Sequence, residues 1–533
     1  MRKFLWVVAV GALVLAVAAP VMALDIKFGT EYRVRFYDAV NLGFNSDSVT
    51  RPSSPAPQID TPNNNARGVQ VRIRPRFDVS DDNGNIAAVL RLEIGDIEFG
   101  NSGGAHGVTW SPAGVTSSGT QYLIPSGSRV GNGAGGGIGA DGVNVETKWA
   151  YVDFALPFGL PARVRAGLQP WYLPKGIIVD DDAAGVRAYG SIAPVSYELA
   201  WYRVNGGPLS GGVVNISGNA FTAMSATVSG LPIAAGTSNT VDNNYDFYGG
   251  KIDVAIAPWL NPGVYYFYGD NRMQCTVGGN SAAISTAGVV TLPPGCPGTN
   301  RVRDSHFVGL TATGKIGIAS YDLDWVYGSM EGGPAGSFGG MATPVTTKGW
   351  ALDGAVHFPI GPVTVNLAGT YATGDRDNGG DSEAFPFISP SWNGAGGGFE
   401  MIGSGGPFDA VEFTQDAPTN LWMIGGWLEY RPVKALYLKL AYGYAGFVKK
   451  NGNCARSITA QGNPSPSATC FGPSYGGKSD ENMVGKSSLG QEISLRADYD
   501  LWTGFKVQGQ LGWLIPSKGD TAAEYVLQLY YNF

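Results

Sequence analysis

The sequence predicts an all-β fold: one transmembrane, antiparallel, up-and-down β-barrel of 18 strands, or 16 if its least regular segment is not a strand. Three observations predict it. Apolar and polar residues alternate with period two over segments of roughly ten residues, the pattern of a wall with two unlike faces. Tight turns and long Gly-, Ser-, Asn- and Pro-rich connections alternate along the chain. The composition is unlike that of a soluble protein: 533 residues hold 79 Gly, and charged residues are 15%, against an average of about 25%.

The same composition excludes several classes. A hydrophobic share of 44% with 11% aromatics is enough to bury a large surface, so disorder is excluded. A net charge of −7 and a pI near 5.1 argue against nucleic acid as a partner. Only three histidines occur (His106, His306 and His357), which leaves little for histidine-based chemistry. None of them has a companion that suggests a triad, so no enzyme is expected and no catalytic residue is assigned.

Residues 1–23 read as a signal peptide. Arg2 and Lys3 precede an apolar run from Phe4 to Ala19, and Val21-Met22-Ala23 is a small-x-small cleavage site. Beyond it no apolar run reaches about 18 residues, so no transmembrane helix is expected. An exported chain of this kind is expected in the bacterial outer membrane, with residues 24–533 forming a single barrel.

Strands are expected near 25–37, 67–79, 85–98, 142–155, 162–172, 177–189, 193–205, 244–257 and 261–270. They continue near 302–314, 318–329, 347–358, 361–374, 418–431, 434–448, 488–500, 503–515 and 522–533. On the second of them Val69, Val71, Ile73 and Phe77 alternate with Gln70, Arg72, Arg74, Arg76 and Asp78. The segment 177–189 is the least regular, because Asp180, Asp181 and Asp182 interrupt it. Near the C-terminus Ile493, Leu495, Ala497 and Tyr499 alternate with Glu492, Ser494, Arg496 and Asp498. The last strand puts Tyr525, Leu527, Leu529, Tyr531 and Phe533 on one face and Glu524, Gln528 and Asn532 on the other.

Short turns fall at 81–85, 157–161, 190–194, 258–262, 314–319, 359–362, 431–434 and 500–504. The long connections run over 39–66, 100–141, 206–243, 270–301, 329–346, 375–417 and 449–487. Turns on one side and loops on the other predict periplasmic turns and extracellular loops.

Four stretches carry a resemblance to a known family: VRIRPRF at 71–77, VRAGLQPW at 164–171, YATGDRD at 371–377, and LGWLIPSKGD followed by YVLQLYYNF at 511–533. Through them the chain resembles porin-type outer-membrane channels, and is most similar to the alginate-export-like family of 18-stranded barrels. The resemblance implies a solute channel, and that family uses lumen arginines for a polyuronate.

If the apolar face meets lipid, the polar alternates line the lumen. That places Lys27, Glu31, Arg33, Arg35, Arg72, Arg74, Arg76, Arg91, Glu93, Glu146, Lys148, Arg163, Arg165 and Gln169 inside, on neighbouring strands. Eight arginines (Arg33, Arg35, Arg72, Arg74, Arg76, Arg91, Arg163 and Arg165) face four carboxylates (Glu31, Asp78, Glu93 and Glu146). Two readings follow: Arg–Glu pairs that stiffen the wall, or a cationic track for anionic solutes, for which the planar guanidinium is suited. Asp322, Asp324 and Asp353 alternate with aromatic and aliphatic residues farther on and form an opposite, acidic wall. The acidic run 179–186 lacks a calcium-loop ladder and reads as a solvated loop or a bend rather than a metal site.

Cys275 and Cys296 share one long connection, and Cys454 and Cys470 share another; in an oxidising compartment local disulfides are expected. Closing each loop is worth roughly 3 kcal/mol. With no C-x-x-C and no Cys/His spacing, no metal or other cofactor is expected. The function expected is passive passage of small or polymeric hydrophilic solutes with anion preference. Two other readings stand beside it: a barrel sheath around a multihaem cytochrome, and a structural or adhesive barrel. The partners expected are outer-membrane lipid, hydrophilic and chiefly anionic solutes, and either another copy of the chain or a periplasmic cytochrome, with no nucleic acid.

Overall fold

A computed structural model describes residues 24–40, 66–99, 109–115, 121–126, 145–157, 159–205, 245–271, 283–284, 290–291, 304–334, 344–374, 383–388, 391–403, 418–449, 454–455, 469–470, 487–517 and 520–533. The signal-peptide region, Cys275 and Cys296 lie outside these residues.

Eighteen strands form one sheet. They are β1 (Leu24–Val40), β2 (Ala66–Asp81), β3 (Ile86–Glu98), β4 (Val145–Ala155), β5 (Ala162–Tyr172) and β6 (Asp180–Ile192). Next come β7 (Val195–Asn205), β8 (Tyr245–Val254), β9 (Asn261–Asn271), β10 (Asp304–Ile316), β11 (Ala319–Pro334) and β12 (Pro344–Ile360). The last are β13 (Val363–Ala372), β14 (Leu421–Val433), β15 (Leu436–Phe447), β16 (Ser488–Trp502), β17 (Phe505–Pro516) and β18 (Ala522–Asn532). Each pairs antiparallel with its sequence neighbours, and β1 pairs with β18, from Glu31 opposite Asn532 to Val40 opposite Ala523. The sheet therefore closes and leaves no edge, so every strand satisfies its ladder within the wall.

The outward face is apolar: Leu199 is 67% and Ile424 63% exposed, with Leu310, Leu367 and Leu428 also outward. Aromatics ring both ends. Phe28, Trp259, Trp502 and Phe533 stand at the short-turn end, and Tyr248, Trp350 and Tyr371 toward the other. An apolar band between two aromatic girdles is the surface a lipid bilayer selects. The chain is a transmembrane barrel of the bacterial outer-membrane kind. No helix among the described residues is long and apolar enough to cross a membrane.

The irregular segment is a strand after all, which settles the count at 18. β6 begins at Asp180, so the acidic run starts the strand rather than breaking it. Ahead of it, residues 173–179 turn into the lumen: Leu173, Ile177, Ile178 and Val179 are buried, around a single 3-10 turn at Pro174–Gly176. Part of the connection expected to lie outside the barrel, 375–417, also folds inward. Phe385, Trp392, Ala395, Phe399, Met401 and Ile402 are all buried.

Toward the long-connection end, the inward face of β5 and β7–β10 is accordingly aromatic rather than polar. Trp171 stacks on Tyr202 at 4.8 Å between ring centroids and meets Phe247 at 5.2 Å and Phe267 at 5.9 Å. Phe307 continues this cluster. Polar-in, apolar-out alternation fails here because the wall packs against its own chain instead of water. Cys454 and Cys470 stand opposite each other in a two-stranded pair outside the barrel sheet.

Candidate functional site

The wall of β1–β5 holds all eight arginines singled out from the sequence, on the inner face. Arg33 bonds Asp96 at 2.7 Å, and Arg35 donates to the Gln528 side-chain carbonyl at 3.2 Å. Arg72 and Arg91 reach the two oxygens of Glu31 at 3.3 and 3.4 Å. Arg74 bonds Glu93, and Arg76 grips Asp78 through two bonds of 2.7 and 2.8 Å. Arg163 and Arg165 both donate to Asp153, at 2.6 and 2.8 Å, and Tyr189 donates to the same carboxylate at 2.6 Å. Trp149 lies under Arg91 with 4.5 Å from guanidinium carbon to ring centroid. Lys148 lies 3.9 Å from Glu93 and 3.6 Å from Asp182, while Glu146 stands opposite Glu93 on the exposed end of β4. Lys27, near the mouth, pairs with Asp25.

The carboxylate count made from the sequence was too low. Asp96 and Asp153 were missed because the register shifts inside β3 and β4, so that each has the opposite parity to the inward residues read before it, Arg91 and Glu93 on β3 and Glu146 and Lys148 on β4. Arg33, Arg72, Arg74, Arg76, Arg91, Arg163 and Arg165 are arrayed on Glu31, Asp78, Glu93, Asp96 and Asp153, so much of the wall's charge is spent on internal pairs.

The acidic residues of β11 and β12 do not face an open lumen. The Lys175 ammonium sits 2.6 Å from Asp322, 2.9 Å from Asp324 and 2.9 Å from Asp353. Asp353 is 0% and Asp324 3% exposed. Asp353 also accepts from the Trp392 indole at 2.8 Å, the Thr370 hydroxyl and the Ala395 N–H. Burial opposes the Lys175 charge, but Asp353, Asp324 and Asp322 outweigh it and raise its pKa. His357 donates to Asp322 at 2.8 Å and meets the Asn366 side-chain oxygen at 2.6 Å. Lys175 thus takes up part of the charge of the expected acidic wall. Nothing in the sequence spacing links residue 175 to 322 or 353, so this cluster could not have been read in advance.

The second inward segment is seated on the barrel's other side. Glu492, on β16, accepts from the N–H groups of Glu400, Met401 and Ile402 at 2.7, 3.1 and 2.6 Å. Lys439 pairs with Glu400 at 2.8 Å, with both side chains almost wholly buried. Gln510 donates to Glu400 at 2.6 Å, and Gln528 donates onward to Gln510 and Gln508. Gly394 is needed where it stands: a Cβ there would lie 2.3 Å from an Asp353 oxygen.

The inward segments thus fill the lumen from the β5–β10 wall across to β15–β16. What they leave is a cavity of about 1030 Å³ toward the short-turn end. Arg33, Arg35, Arg72, Arg74, Lys434, Arg496 and Lys506 line it, with two carboxylates, Glu31 and Asp500. Gln508, Gln510, Gln528 and Tyr530 complete its wall. A smaller cavity of about 290 Å³ lies beneath residues 393–398 and shares Arg496 with it; Lys175, His357, Trp427, Glu429 and Lys439 are among its other neighbours. Among the described residues no group of three or more His, Cys, Asp or Glu could hold a metal ion, and the run at 180–182 instead bonds Asn393, Trp149 and Lys148. His306 meets the Tyr266 hydroxyl at 2.8 Å, and His106 lies outside the described residues.

No family model matches the chain, and no curated protein matches it. Among solved structures it is similar to OccK8 (OprE) of Pseudomonas aeruginosa, at 12% identity over 96% of this chain and 98% of that one, with a TM-score of 0.45. The outer membrane protein OpdK of the same organism is 10% identical over 96% and 98%, also at 0.45. OccAB4 of Acinetobacter baumannii is 9% identical over 96% of this chain and 99% of that one, at 0.45.

Proposed function

We propose that the protein is an outer-membrane channel for passive passage of hydrophilic solutes, with a preference for anions. The observation that carries this is the siting of the remaining space. The inward segments reach from the acidic side across to β15 and β16, so a solute is steered along β1, β2 and the short-turn end of β16–β18. There seven cationic side chains and two carboxylates line the cavity. An excess of this kind raises the local anion concentration by counter-ion attraction, and salt weakens it over a Debye length of about 10 Å at 0.1 M. The glutamines beside the arginines offer both donors and acceptors, which suits a hydrated, hydrogen-bonding solute.

The reading predicts that Arg35→Gln, Arg72→Gln and Arg74→Gln combined lowers anion-over-cation selectivity, most clearly at low salt. Reversal potentials across a salt gradient in planar bilayers measure it, and an unchanged potential would reduce the arginines to wall-stiffening pairs. The sheath alternative fits less well, since the chain's own inward segments take the space a folded cytochrome needs. The resemblance to the alginate-export-like family rests on its four short stretches, two of which, in β2 and β5, carry Arg72, Arg74, Arg76 and Arg165.

A further inference from the structure

The two inward segments behave as one body. Ile388 donates its N–H to the Ile178 carbonyl at 2.9 Å, Ser391 to Gly176 at 3.0 Å and Asn393 to Lys175 at 2.7 Å. Besides the polar seat of residues 400–402 on Lys439, Glu492 and Gln510, this body meets the barrel in two further ways. Toward β5 and β7–β10 the contact is apolar. Toward β11 and β12 it is ionic, and for residues 173–179 one side chain makes it: Lys175 is the sole polar residue in that Leu-Pro-Lys-Gly-Ile-Ile-Val stretch. Lys175 also adopts a φ of 58°, a left-handed conformation that a non-glycine residue holds only when its surroundings impose it.

We propose that Lys175 is an ionic latch: its ammonium between Asp322, Asp324 and Asp353 holds both inward segments against β11 and β12, and withdrawing it releases them and widens the lumen. The inference rests on the reading of the lumen as a solute passage. Its physical basis is an asymmetry. With the ammonium in place, three crowded carboxylates share a counter-charge. Without it, Asp324 and Asp353 are left buried side by side, and repulsion drives the wall to take up water at the expense of the segment that covers it. Apolar packing alone has no such penalty for partial withdrawal, because it grades with the area covered. Release also bares carboxylates to the passage, so the latch couples width to selectivity: the narrowed channel favours anions and the widened one loses that bias.

The test uses the full chain refolded into lipid, with Lys175→Met as the principal variant and Asp322→Asn with Asp324→Asn as the second. The second leaves Asp353 and its other donors intact and decides the matter if the first does not insert. Two readouts are taken. One is single-channel conductance, expected to rise about twofold with a fall in anion selectivity. The other does not depend on conduction. Cysteines at Gly328, on β11, and Pro386, on the inward segment, would be close enough to join, since a Cβ on Gly328 lies 2.8 Å from the Pro386 ring. Their oxidation should be about tenfold slower in the Lys175→Met background, and once formed the disulfide should restore the parent conductance. Parent-like conductance together with parent-like crosslinking in either variant overturns the latch. A parent chain that stays silent in the bilayer counts against the passage reading alone, and crosslinking then still decides the latch.

Discussion

Asp96 and Asp153 change what the wall arginines can do. Arg163 and Arg165 share one carboxylate with the Tyr189 hydroxyl, so they belong to a closed local set. Arg72, which reaches Glu31 at a long 3.3 Å, keeps more of its field for the cavity. On the opposite side Lys439 and Glu400 show the reverse case, a pair almost wholly withdrawn from water. Removing one partner of such a pair leaves a charge uncompensated, and Lys439→Met should destabilise the fold by about 3–5 kcal/mol. Lys439→Met combined with Glu400→Leu should recover most of that loss. Urea unfolding in lipid vesicles measures both, and a double variant no more stable than the single one would contradict the pairing. The alternation of β15 puts Lys439 on the inner face, but its partner lies in a connection with no periodicity to read.

At the scale of elements, the short connection between β5 and β6 sets the plug. Seven residues from Leu173 to Val179 carry five apolar side chains and one lysine, so in water they would be a poor loop. They turn inward because Trp171, Phe247, Phe267 and Phe307 offer an apolar bed inside the barrel. The turn depends on Gly176, whose φ of 65° is left-handed and whose Cβ, if present, would lie 2.1 Å from the Ser391 carbonyl oxygen. Gly176→Ala therefore adds roughly 1–2 kcal/mol of backbone strain to a steric clash. The expected result is faster hydrogen exchange at the Ser391 amide, which donates to Gly176, with β1 and β18 unaffected. Unchanged protection of the 388–403 peptide would mean that the segment adapts without moving.

For the whole molecule, closure of β1 on β18 makes the wall self-sufficient, and the connections are free to differ at its two ends. Both ends of the barrel sequence, Leu24 and Phe533, and eight tight turns share one end. By the layout of such barrels that end faces the periplasm. Cysteines introduced at Asp82 or Lys315 should then resist a membrane-impermeant thiol reagent on intact cells, while cysteines at Gly279 or Gly380 should react. Labelling of the first pair from outside would invert the barrel and place the basic cavity at the cell surface.

The sequence by itself determined the wall. Period-two alternation reports which residues meet lipid, and it does so strand by strand, so the 18 strands and the inner position of the arginines of β1, β2, β3 and β5 were legible residue by residue. It determined the contents of the lumen hardly at all. Asp322, Asp324 and Asp353 were legible as inward carboxylates, but not as the seat of Lys175, because that contact joins residues about 150 to 180 positions apart through a turn with no repeat. The aromatic inner face of β7–β10 broke the alternation rule for the same reason. Local patterning records the solvent a strand expects on each face, whereas only the tertiary structure decides whether that solvent is water, lipid or the chain itself.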